Sequence, residues 1–456
     1  MIVRFTLSNV FSFGEECELS LIPYARLRHH KHHINYDTPL PLLRYTAIYG
    51  ANGAGKSNLL KALRLLIDNV KGNTYINVKD RYGKLDLYRH RNLLLPPDTL
   101  QEMAVEFVPK GSAFSYYYCI KVQKNIVISE KLTTMSFRKN GSPSSRGDVI
   151  VFSREKIEGG YVYRIPKLEN LPGWEDYVNK FIPSLISEDV LAFGIVAKLN
   201  NDRVGQILDA YSWLTQKVIV VTPNSYNFAW PYHLWTDELF REFYNTMFPR
   251  FDTGINEVCV QSVLMDDNSV QKLPQEIKDQ LEYHDFISLT LPNQKTPTTY
   301  VKDSNGNITS LTVKSRHASN VLEKPAEFDF DQESDGTIRL ADILAMAYDV
   351  INTECVYLID EVDDRIHPIA MIRLIQLLTS YKDVKGQLIF TTHNAHLLDA
   401  DLLRKDEIWF VEKNREKTTL YSLSDYCQEH NNIDITKGYL QGRYGGVPII
   451  QELRMD

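Results

Sequence analysis

The stretch Gly50-Ala51-Asn52-Gly53-Ala54-Gly55-Lys56-Ser57 decides the fold of this sequence. It matches the pattern GxxxxGK[ST] in full, an apolar run precedes it, and apolar residues recur at helical spacing after it. A strand, a glycine-rich turn and a helix in this order predict a loop whose backbone N–H groups surround phosphate. The alternative, a chance match on a turn, is disfavoured by the flanking strand and helix. We expect Lys56 to reach the β- and γ-phosphates of a nucleotide and Ser57 to ligate magnesium.

A second pattern ends in two acids, because the apolar run Val356-Tyr357-Leu358-Ile359 leads directly into Asp360 and Glu361. A buried strand delivers such carboxylates to the carboxyl edge of a parallel sheet, where ligands bind. Alone the pattern is weak, since it often marks only the point where a strand meets solvent. Together with the glycine-rich loop it predicts Asp360 as a magnesium ligand and Glu361 as the group that orients or deprotonates the attacking water.

His393 follows another short apolar run that ends in Thr391-Thr392. A histidine in this position could hydrogen-bond a γ-phosphate, although a lone histidine after a strand is more often structural. Its place shortly after Glu361 in the chain favours the functional interpretation.

Glu333-Ser334-Asp335-Gly336-Thr337 opens a predicted helix just before the Asp360 strand. A small serine and glycine at a helix N-terminus favour an anion. The alternative is an ordinary N-cap by Ser334, and the two roles are compatible.

The order of these motifs, with Asp363 shortly after the two acids, resembles ABC-type ATPase heads. The sequence is most similar to the non-transporter branch, related to structural-maintenance-of-chromosomes and RecF-type proteins, and to bacterial AAA/ABC ATPases linked to abortive phage resistance. Size and the absence of a fused nuclease narrow the resemblance to ATPase subunits of PARIS anti-phage systems. The segments that carry it are NVFSF (9–13), IYGANGAGKSNLLKAL (48–63), ESDGTIRL (333–340), His367-Pro368, TTHNAHLLD (391–399), IWFVEK (408–413) and GYLQGRYGGVP (438–448).

The resemblance implies an α/β fold: a P-loop ABC-ATPase head with a mostly parallel sheet, an antiparallel β subdomain and a helical insertion. It implies ATP and Mg²⁺ as cofactors, and a homodimer or higher homo-oligomer with shared ATP sites. Ser334 and Gly336 of one subunit would contact the γ-phosphate held by Lys56 of another, with Asp363 at the interface. Departures from the pattern are the missing Leu-Ser before the signature and Thr337, where transporters carry glutamine. The residues expected around the nucleotide phosphates are Asn52, Gly53, Ala54, Gly55, Lys56, Ser57 and Asn58.

The chain divides by pattern into a discontinuous head (1–165 and 285–430), a mostly helical insertion (166–284) and a C-terminal tail (431–456). Within the insertion, Thr236 is expected to cap a helix that runs to Met247. In chromosome-maintenance relatives the corresponding interval holds a coiled coil, but here no heptads are sustained and prolines interrupt. We therefore expect a globular insertion, which either forms a partner-binding or oligomerisation surface or only covers sheet edges.

Bulk composition describes an ordinary globular protein, with 43% hydrophobic and 24% charged residues over a length of 456. No apolar run is long enough to span a membrane, and no secretory signal is recognisable. Five scattered cysteines without a CxxC pair favour a reducing cytoplasm. The net charge of -7 argues against general attraction to nucleic acid and leaves DNA binding open.

The basic segment Arg26 to His33, RLRHHKHH, contains four histidines. Histidines at this density could bind a metal ion. Because no cysteine or carboxylate lies nearby in the sequence, we expect a solvated loop instead.

We expect an ATPase that acts as a sensor or scaffold in anti-phage defence and controls a separate toxic effector, nuclease-like, through nucleotide-dependent assembly after a phage trigger. The chain itself has no second catalytic constellation. The alternative is a RecF- or SMC-like DNA-repair or chromosome ATPase that binds DNA directly. An ABC transporter subunit is disfavoured by the atypical signature.

Overall fold

The computed structural model describes the chain in several stretches, and every structural statement below concerns these residues. They are 1–72, 96, 98–137, 147–169, 172–199, 204–223, 229–290, 294–319, 324–415, 417–426 and 434–447. The chain forms two compact units. The first unit consists of Met1–Thr222, Asn352–Val362 and Ile375–Asp456, and the second unit of Pro223–Ile351 and Asp363–Leu374.

Short strands dominate the first part of the chain and alternate with helices later. In chain order the described strands are β1 (Ile2–Ser8), β2 (Cys17–Ser20), β3 (Ile34–Asn35), β4 (Leu42–Leu43), β5 (Tyr45–Tyr49), β6 (Gln101–Phe107), β7 (Phe114–Gln123), β8 (Ile126–Ser136), β9 (Val149–Ile157), β10 (Gly160–Arg164), β11 (Val218–Val221), β12 (Ile255–Leu264), β13 (Phe286–Leu289), β14 (Thr298–Lys302), β15 (Ile308–His317), β16 (Ala326–Asp329), β17 (Val356–Ile359), β18 (Gln387–Thr391), β19 (Ile408–Asn414) and β20 (Lys417–Ser422).

The helices range from single turns to eighteen residues. In chain order they are α1 (Lys56–Lys71), α2 (Trp174–Asp176), α3 (Ile182–Leu185), α4 (Phe193–Ala197), α5 (Gly205–Lys217), α6 (Trp230–Thr236), α7 (Glu238–Met247), α8 (Asp267–Gln271), α9 (Gln275–Gln280), α10 (Asp335–Asn352), α11 (Pro368–Ser380), α12 (Leu423–Tyr426) and α13 (Ile435–Leu440).

The first unit is built on a six-stranded sheet in the order β11-β17-β18-β5-β19-β20. All neighbouring pairs are parallel except β19 and β20. Strands β5, β17 and β18 are buried at every position, as expected for parallel strands covered on both faces. Burial on both faces favours apolar side chains at successive positions, which is why these strands have continuous apolar sequences. The carboxyl ends of the three strands lie side by side at one edge of the sheet.

A second sheet of the first unit has seven strands in the order β10-β9-β8-β7-β6-β1-β2, and its pairs are antiparallel. This sheet is the antiparallel β subdomain that the resemblance implied. Helix α1 contributes one buried apolar face to the core shared with these strands, and it ends at Gly72 with φ of 71°. This core fixes where α1 begins, and therefore where the glycine-rich loop lies.

The second unit contains an antiparallel sheet in the order β12-β15-β14-β13, with β16 paired to β15. A small apolar cluster that includes Leu273, Ile277 and Tyr300 covers part of it. Helix α10 belongs to this unit and is buried along most of its length.

The predicted helical insertion over 166–284 spans parts of both units, so its boundaries differ from those of the structure. Two features explain the difference. Glu130 of β8 accepts hydrogen bonds from the backbone N–H groups of Ala192 and Phe193 at 2.8 Å, which ties α4 to the first unit. Strand β12, which the sequence patterns did not indicate, pairs with β15 over ten residues and joins 255–264 to the later strands.

Helix α7 begins one residue later than predicted. Thr236 is the last residue of α6, and the side chain of Asp237 accepts a hydrogen bond from Phe240 N as the N-cap of α7. An aspartate accepts this bond as well as a threonine does, so the two neighbours could not be distinguished from the sequence. Among the described residues, no helix is long and apolar enough to cross a membrane.

Candidate functional site

Three predicted motifs of the first unit meet at the carboxyl edge of the six-stranded sheet. The glycine-rich loop follows β5, Asp360 and Glu361 follow β17, and His393 follows β18. Because β18 lies between β17 and β5, the side chains after these strands come from adjacent positions. Open parallel sheets bind ligands at this edge.

Oxygen atoms cluster around the carboxylate of Asp360. The Ser57 hydroxyl donates to Asp360 Oδ1 at 3.1 Å, and the Thr391 hydroxyl donates to the same oxygen at 2.7 Å. The backbone N–H of Glu361 donates to the Thr391 hydroxyl at 2.7 Å. Asp360 is buried, and its own N–H donates to Val221 O at 2.8 Å. Hydroxyl and carboxylate oxygens are the ligands that Mg²⁺ prefers.

Lys56 is buried at the first position of α1, 5% exposed. Its ammonium donates to Gly50 O at 2.8 Å and to Ala51 O at 3.2 Å, and it lies 3.5 Å from Nδ1 of His393. The two loop carbonyls therefore accept hydrogen bonds from the Lys56 ammonium, and phosphate oxygens of a bound nucleotide can take their place. The His393 side chain is exposed at this edge.

Glu361 has φ of 51°, in the left-handed region that residues other than glycine seldom adopt. The strained backbone directly follows the buried Asp360. Such strain is stored preferentially at functional sites. The side chain is half-buried.

Two residues that the sequence patterns did not single out form hydrogen bonds with the glycine-rich loop and with the first turn of α1. The buried Thr418 hydroxyl donates to Ala54 O at 2.8 Å, and the Ser12 hydroxyl accepts from Asn58 Nδ2 at 2.9 Å. Gly55 has φ of 116°, and a β-carbon there would lie 2.7 Å from Thr418 Oγ1 and 2.8 Å from Ser12 Oγ. Only glycine fits between these hydroxyls.

Part of the predicted C-terminal tail also contacts the base of the loop. Tyr439 stacks on Phe410 of β19 with ring centroids 5.5 Å apart, and its hydroxyl donates to Gly446 O at 3.1 Å. A β-carbon at Gly446 would lie 3.7 Å from Cα of Gly50. The segment 434–447 is therefore part of the first unit's packing, while Pro448, the last residue of the resembling motif, lies outside the described residues.

Ser334, Gly336 and Asp363 belong to the second unit. The Ser334 hydroxyl accepts from Thr337 N at 3.1 Å, so the predicted N-cap of α10 is present, and the Ser334 side chain remains exposed. A β-carbon at Gly336 would lie 2.7 Å from Arg365 O. The backbone at Arg365 therefore approaches too closely for a side chain at position 336, which explains why glycine is found there. Asp363 O accepts from Ile366 N in the turn that carries this Arg365 carbonyl.

The residues present fit a nucleotide with a divalent cation. Asn52 and Gly53 are exposed at the mouth of the loop, so a ligand can approach its backbone N–H groups. The Ser57, Asp360 and Thr391 oxygens form a donor set of the type that holds Mg²⁺. Thr391 could have been found from the sequence only by asking which hydroxyl ends the strand beside Asp360, and strand order is not visible there.

A family model described as "AAA domain, putative AbiEii toxin, Type IV TA system" matches residues 45–117 and 175–399, more than half of the chain. The chain belongs to this family. The matched residues include the glycine-rich loop, the signature, the two acids and His393. As a member of this AAA family with the sheet described above, the protein has the predicted α/β fold of a P-loop ABC-ATPase head.

No curated protein matches the sequence significantly. Solved structures that resemble the chain include an Smc head bound to the C-terminal winged-helix domain of ScpA, with 12% identity, a TM-score of 0.43 and coverage of 92% of this chain and 97% of that one. An Smc head from Pyrococcus furiosus with an extended coiled coil, bound to the C-terminal domain of ScpA, has 11% identity, a TM-score of 0.43 and coverage of 92% and 96%. An SMC head from Thermotoga maritima has 12% identity, a TM-score of 0.36 and coverage of 92% and 98%.

Proposed function

We propose that this AAA-family protein binds ATP with Mg²⁺ and hydrolyses it. The observation that carries the proposal is the contact of Ser57 and Thr391 with one oxygen of Asp360, beside the buried ammonium of Lys56. The Lys56 ammonium matches the negative charge of nucleotide phosphates. The oxygen atoms of Ser57, Thr391 and Asp360 match the positive charge of the magnesium ion that accompanies them.

Each residue has a defined part in the proposed reaction. Lys56 exchanges its loop carbonyls for β- and γ-phosphate oxygens, and the loop N–H groups from Asn52 to Asn58 bind the remaining phosphate oxygens. Ser57 and Asp360 hold Mg²⁺, which when bound neutralises phosphate charge. Glu361 orients and deprotonates the attacking water, and His393 hydrogen-bonds the γ-phosphate.

We further propose that two copies of the chain share each ATP site. In this arrangement Ser334 and Gly336 at the start of α10 contact the γ-phosphate held by the Lys56 of another copy, and Asp363 lies at the interface. The exposed Ser334 hydroxyl at a helix N-terminus supports the proposal, since such a terminus attracts anions. ATP then acts as the link that assembles the oligomer.

The proposed cellular role is a sensor or scaffold in anti-phage defence that controls a separate toxic effector. The family description, which names an abortive-infection toxin and a toxin–antitoxin system, and the resemblance to PARIS ATPase subunits support this role. ATP-dependent assembly would hold the effector, nuclease-like by this resemblance, and release it after a phage trigger.

The test is co-expression of the chain with the products of neighbouring open reading frames, followed by affinity purification with and without ATP and Mg²⁺. Co-elution of one such product with the wild type, and its loss from the Lys56→Ala variant, is the expected result. Salt-dependent binding of duplex DNA by the purified chain, without any co-eluting protein, would instead support a DNA-repair ATPase. Absence of ATP binding by the purified chain would overturn both roles.

A further inference from the structure

Three of the four histidines in the basic segment, which precedes the glycine-rich loop in the chain, come together in the first unit. One ring nitrogen each of His30, His32 and His33 lies within 4.8 Å of those of the other two. The rings of His32 and His33 are 4.5 Å apart between centroids, and those of His30 and His33 are 4.9 Å apart. His33 is fully buried, so the solvated loop predicted from the sequence is wrong at this residue.

Hydrogen bonds orient two of these rings. Nε2 of His32 lies 2.8 Å from the backbone carbonyl of Thr379, and Nε2 of His30 lies 2.9 Å from that of Ala400. A carbonyl can only accept, so in each ring Nε2 carries the proton and donates it. In a neutral imidazole the other nitrogen, Nδ1, then keeps a lone pair that can bind a cation.

The third ring contacts the buried side chain of Glu407. Nδ1 of His33 lies 3.0 and 3.1 Å from the two carboxylate oxygens of Glu407, a residue 374 positions later in the chain. The remaining nitrogen, Nε2, is buried and has no hydrogen-bond partner among the described residues.

We propose that His30, His32 and His33 form a binding site for a divalent transition-metal ion of the zinc class, with Glu407 as the outer partner of His33. Neutral imidazoles are preferred ligands of Zn²⁺, and a carboxylate on the far nitrogen of a ligating histidine orients the ring and raises its basicity. With a cation on Nε2, the proton on Nδ1 donates to Glu407. Three protein ligands leave one tetrahedral position for water.

The geometry requires only a small closure of the cluster. Zinc–nitrogen bonds of about 2.0 Å place tetrahedral ligands about 3.3 Å apart. One nitrogen from each ring lies within 4.8 Å of the others, so the rings must turn and approach one another to bind an ion. His30 and His32 are half-buried and lie at the edge of the cluster, so their side chains can supply this movement around the fixed His33.

A bound ion would join segments that are distant in sequence. The histidine rings already form hydrogen bonds with three such segments. Their partners are Thr379 at the end of α11, Ala400 in the loop after β18, and Glu407, the residue before β19. His393 lies near the start of the segment after β18 that contains Ala400. The proposed ion therefore stabilises the loop that leaves the nucleotide site, and its binding should raise the unfolding temperature of the chain.

The proposal is tested on the full-length chain after treatment with a chelator and its removal, without nucleotide. Zinc titration by calorimetry should give one site per chain, and Co²⁺ should give the visible absorption of a nitrogen-bound cobalt. His30→Gln and His32→Gln should each lower the zinc affinity about tenfold or more. The matched control is His29→Gln, an exposed neighbour outside the cluster, which should bind like the wild type.

Differential scanning in the same buffers provides a second readout. Zinc should raise the Tm of the wild type and of His29→Gln, and should raise it less or not at all in His30→Gln and His32→Gln. Because these two residues are only half-buried, folding of the variants can be verified by their Tm without metal. A wild type that binds no zinc, or equal affinity in all four proteins, would overturn the proposal.

Discussion

Ser57 and Asp360 lie 303 residues apart in the chain, and the hydroxyl of one donates to the carboxylate of the other at 3.1 Å. The contact joins the first turn of α1 to the end of β17. Two sequence patterns that were each interpreted as magnesium-binding thus meet at one point. Removing either oxygen should therefore affect the metal requirement before it affects the fold.

For Ser57→Ala we expect a higher Mg²⁺ concentration for half-maximal ATP binding, by about tenfold, because one oxygen ligand is lost while Asp360 keeps its bond to Thr391. Calorimetric titration of ATP at several magnesium concentrations measures this. Thermal unfolding should be nearly unchanged. An unaltered magnesium requirement would show that Ser57 is not a ligand.

Lys56→Ala should weaken ATP binding about 10- to 100-fold, since a charge-assisted hydrogen bond to phosphate contributes about 1.5–3 kcal/mol. The control is Lys61→Ala, on the exposed side of the same helix, which should bind ATP normally. Equal affinity in the two variants would contradict the phosphate-binding interpretation of the loop.

Glu361→Gln should separate binding from hydrolysis. The amide keeps the size of the side chain but cannot accept the proton of the attacking water, so ATP should remain bound while turnover falls about 100-fold or more. Single-turnover hydrolysis and nucleotide retention on a filter measure the two effects. The exposed Glu16→Gln serves as the control. Hydrolysis by Glu361→Gln at the wild-type rate would rule out its proposed role.

Thr418→Val tests the support behind the loop. Valine keeps the shape but leaves Ala54 O without the hydroxyl that donates to it at 2.8 Å, which should cost about 1–3 kcal/mol of stability. ATP affinity should fall as well, because the loop loses its fixed conformation. Thr419→Val changes an exposed neighbour on the same strand and should change neither quantity. If both variants unfold at the same denaturant concentration, the hydroxyl does not hold the loop.

The sequence predicted those features of the fold and the site that short, local residue patterns determine. The loop, the two acids and the histidine each follow an apolar strand, and they lie at one sheet edge because these parallel strands share it. The sequence could not show that β18 lies between β17 and β5, so Thr391 was missed as the second donor to Asp360. Long-range pairing also explains why Glu407 was not recognised as the partner of His33.

Domain boundaries were harder to predict for the same reason. The sequence patterns predicted a mostly helical insertion over 166–284, but the structure places a ten-residue strand, β12, within it. Strand β12 has exposed polar residues and little alternation, so only its pairing with β15 identifies it. Such a strand is defined by its pairing with a strand that is distant in the sequence. This pairing depends on tertiary packing rather than on the residues of the segment itself.

The shared ATP site makes the most specific prediction, because it concerns two chains. Lys56→Ala breaks the half of the site that holds the nucleotide, and Ser334→Arg blocks the facing half with a bulky cation at the start of α10. Each variant alone should be inactive. Mixed, a heterodimer pairs the intact loop of one chain with the intact signature of the other, so one complete site per dimer returns and some hydrolysis should be restored.

Two controls make the mixing experiment decisive. Subunit exchange is verified with differently tagged chains, since failure to exchange would imitate failure to complement. Nucleotide trapping is measured beside turnover, because tight coupling between two sites could suppress turnover while the restored site still closes on ATP. Should exchanged subunits neither trap nor hydrolyse ATP, Ser334 does not act on the nucleotide of another copy, and a site contained within one chain becomes the better account.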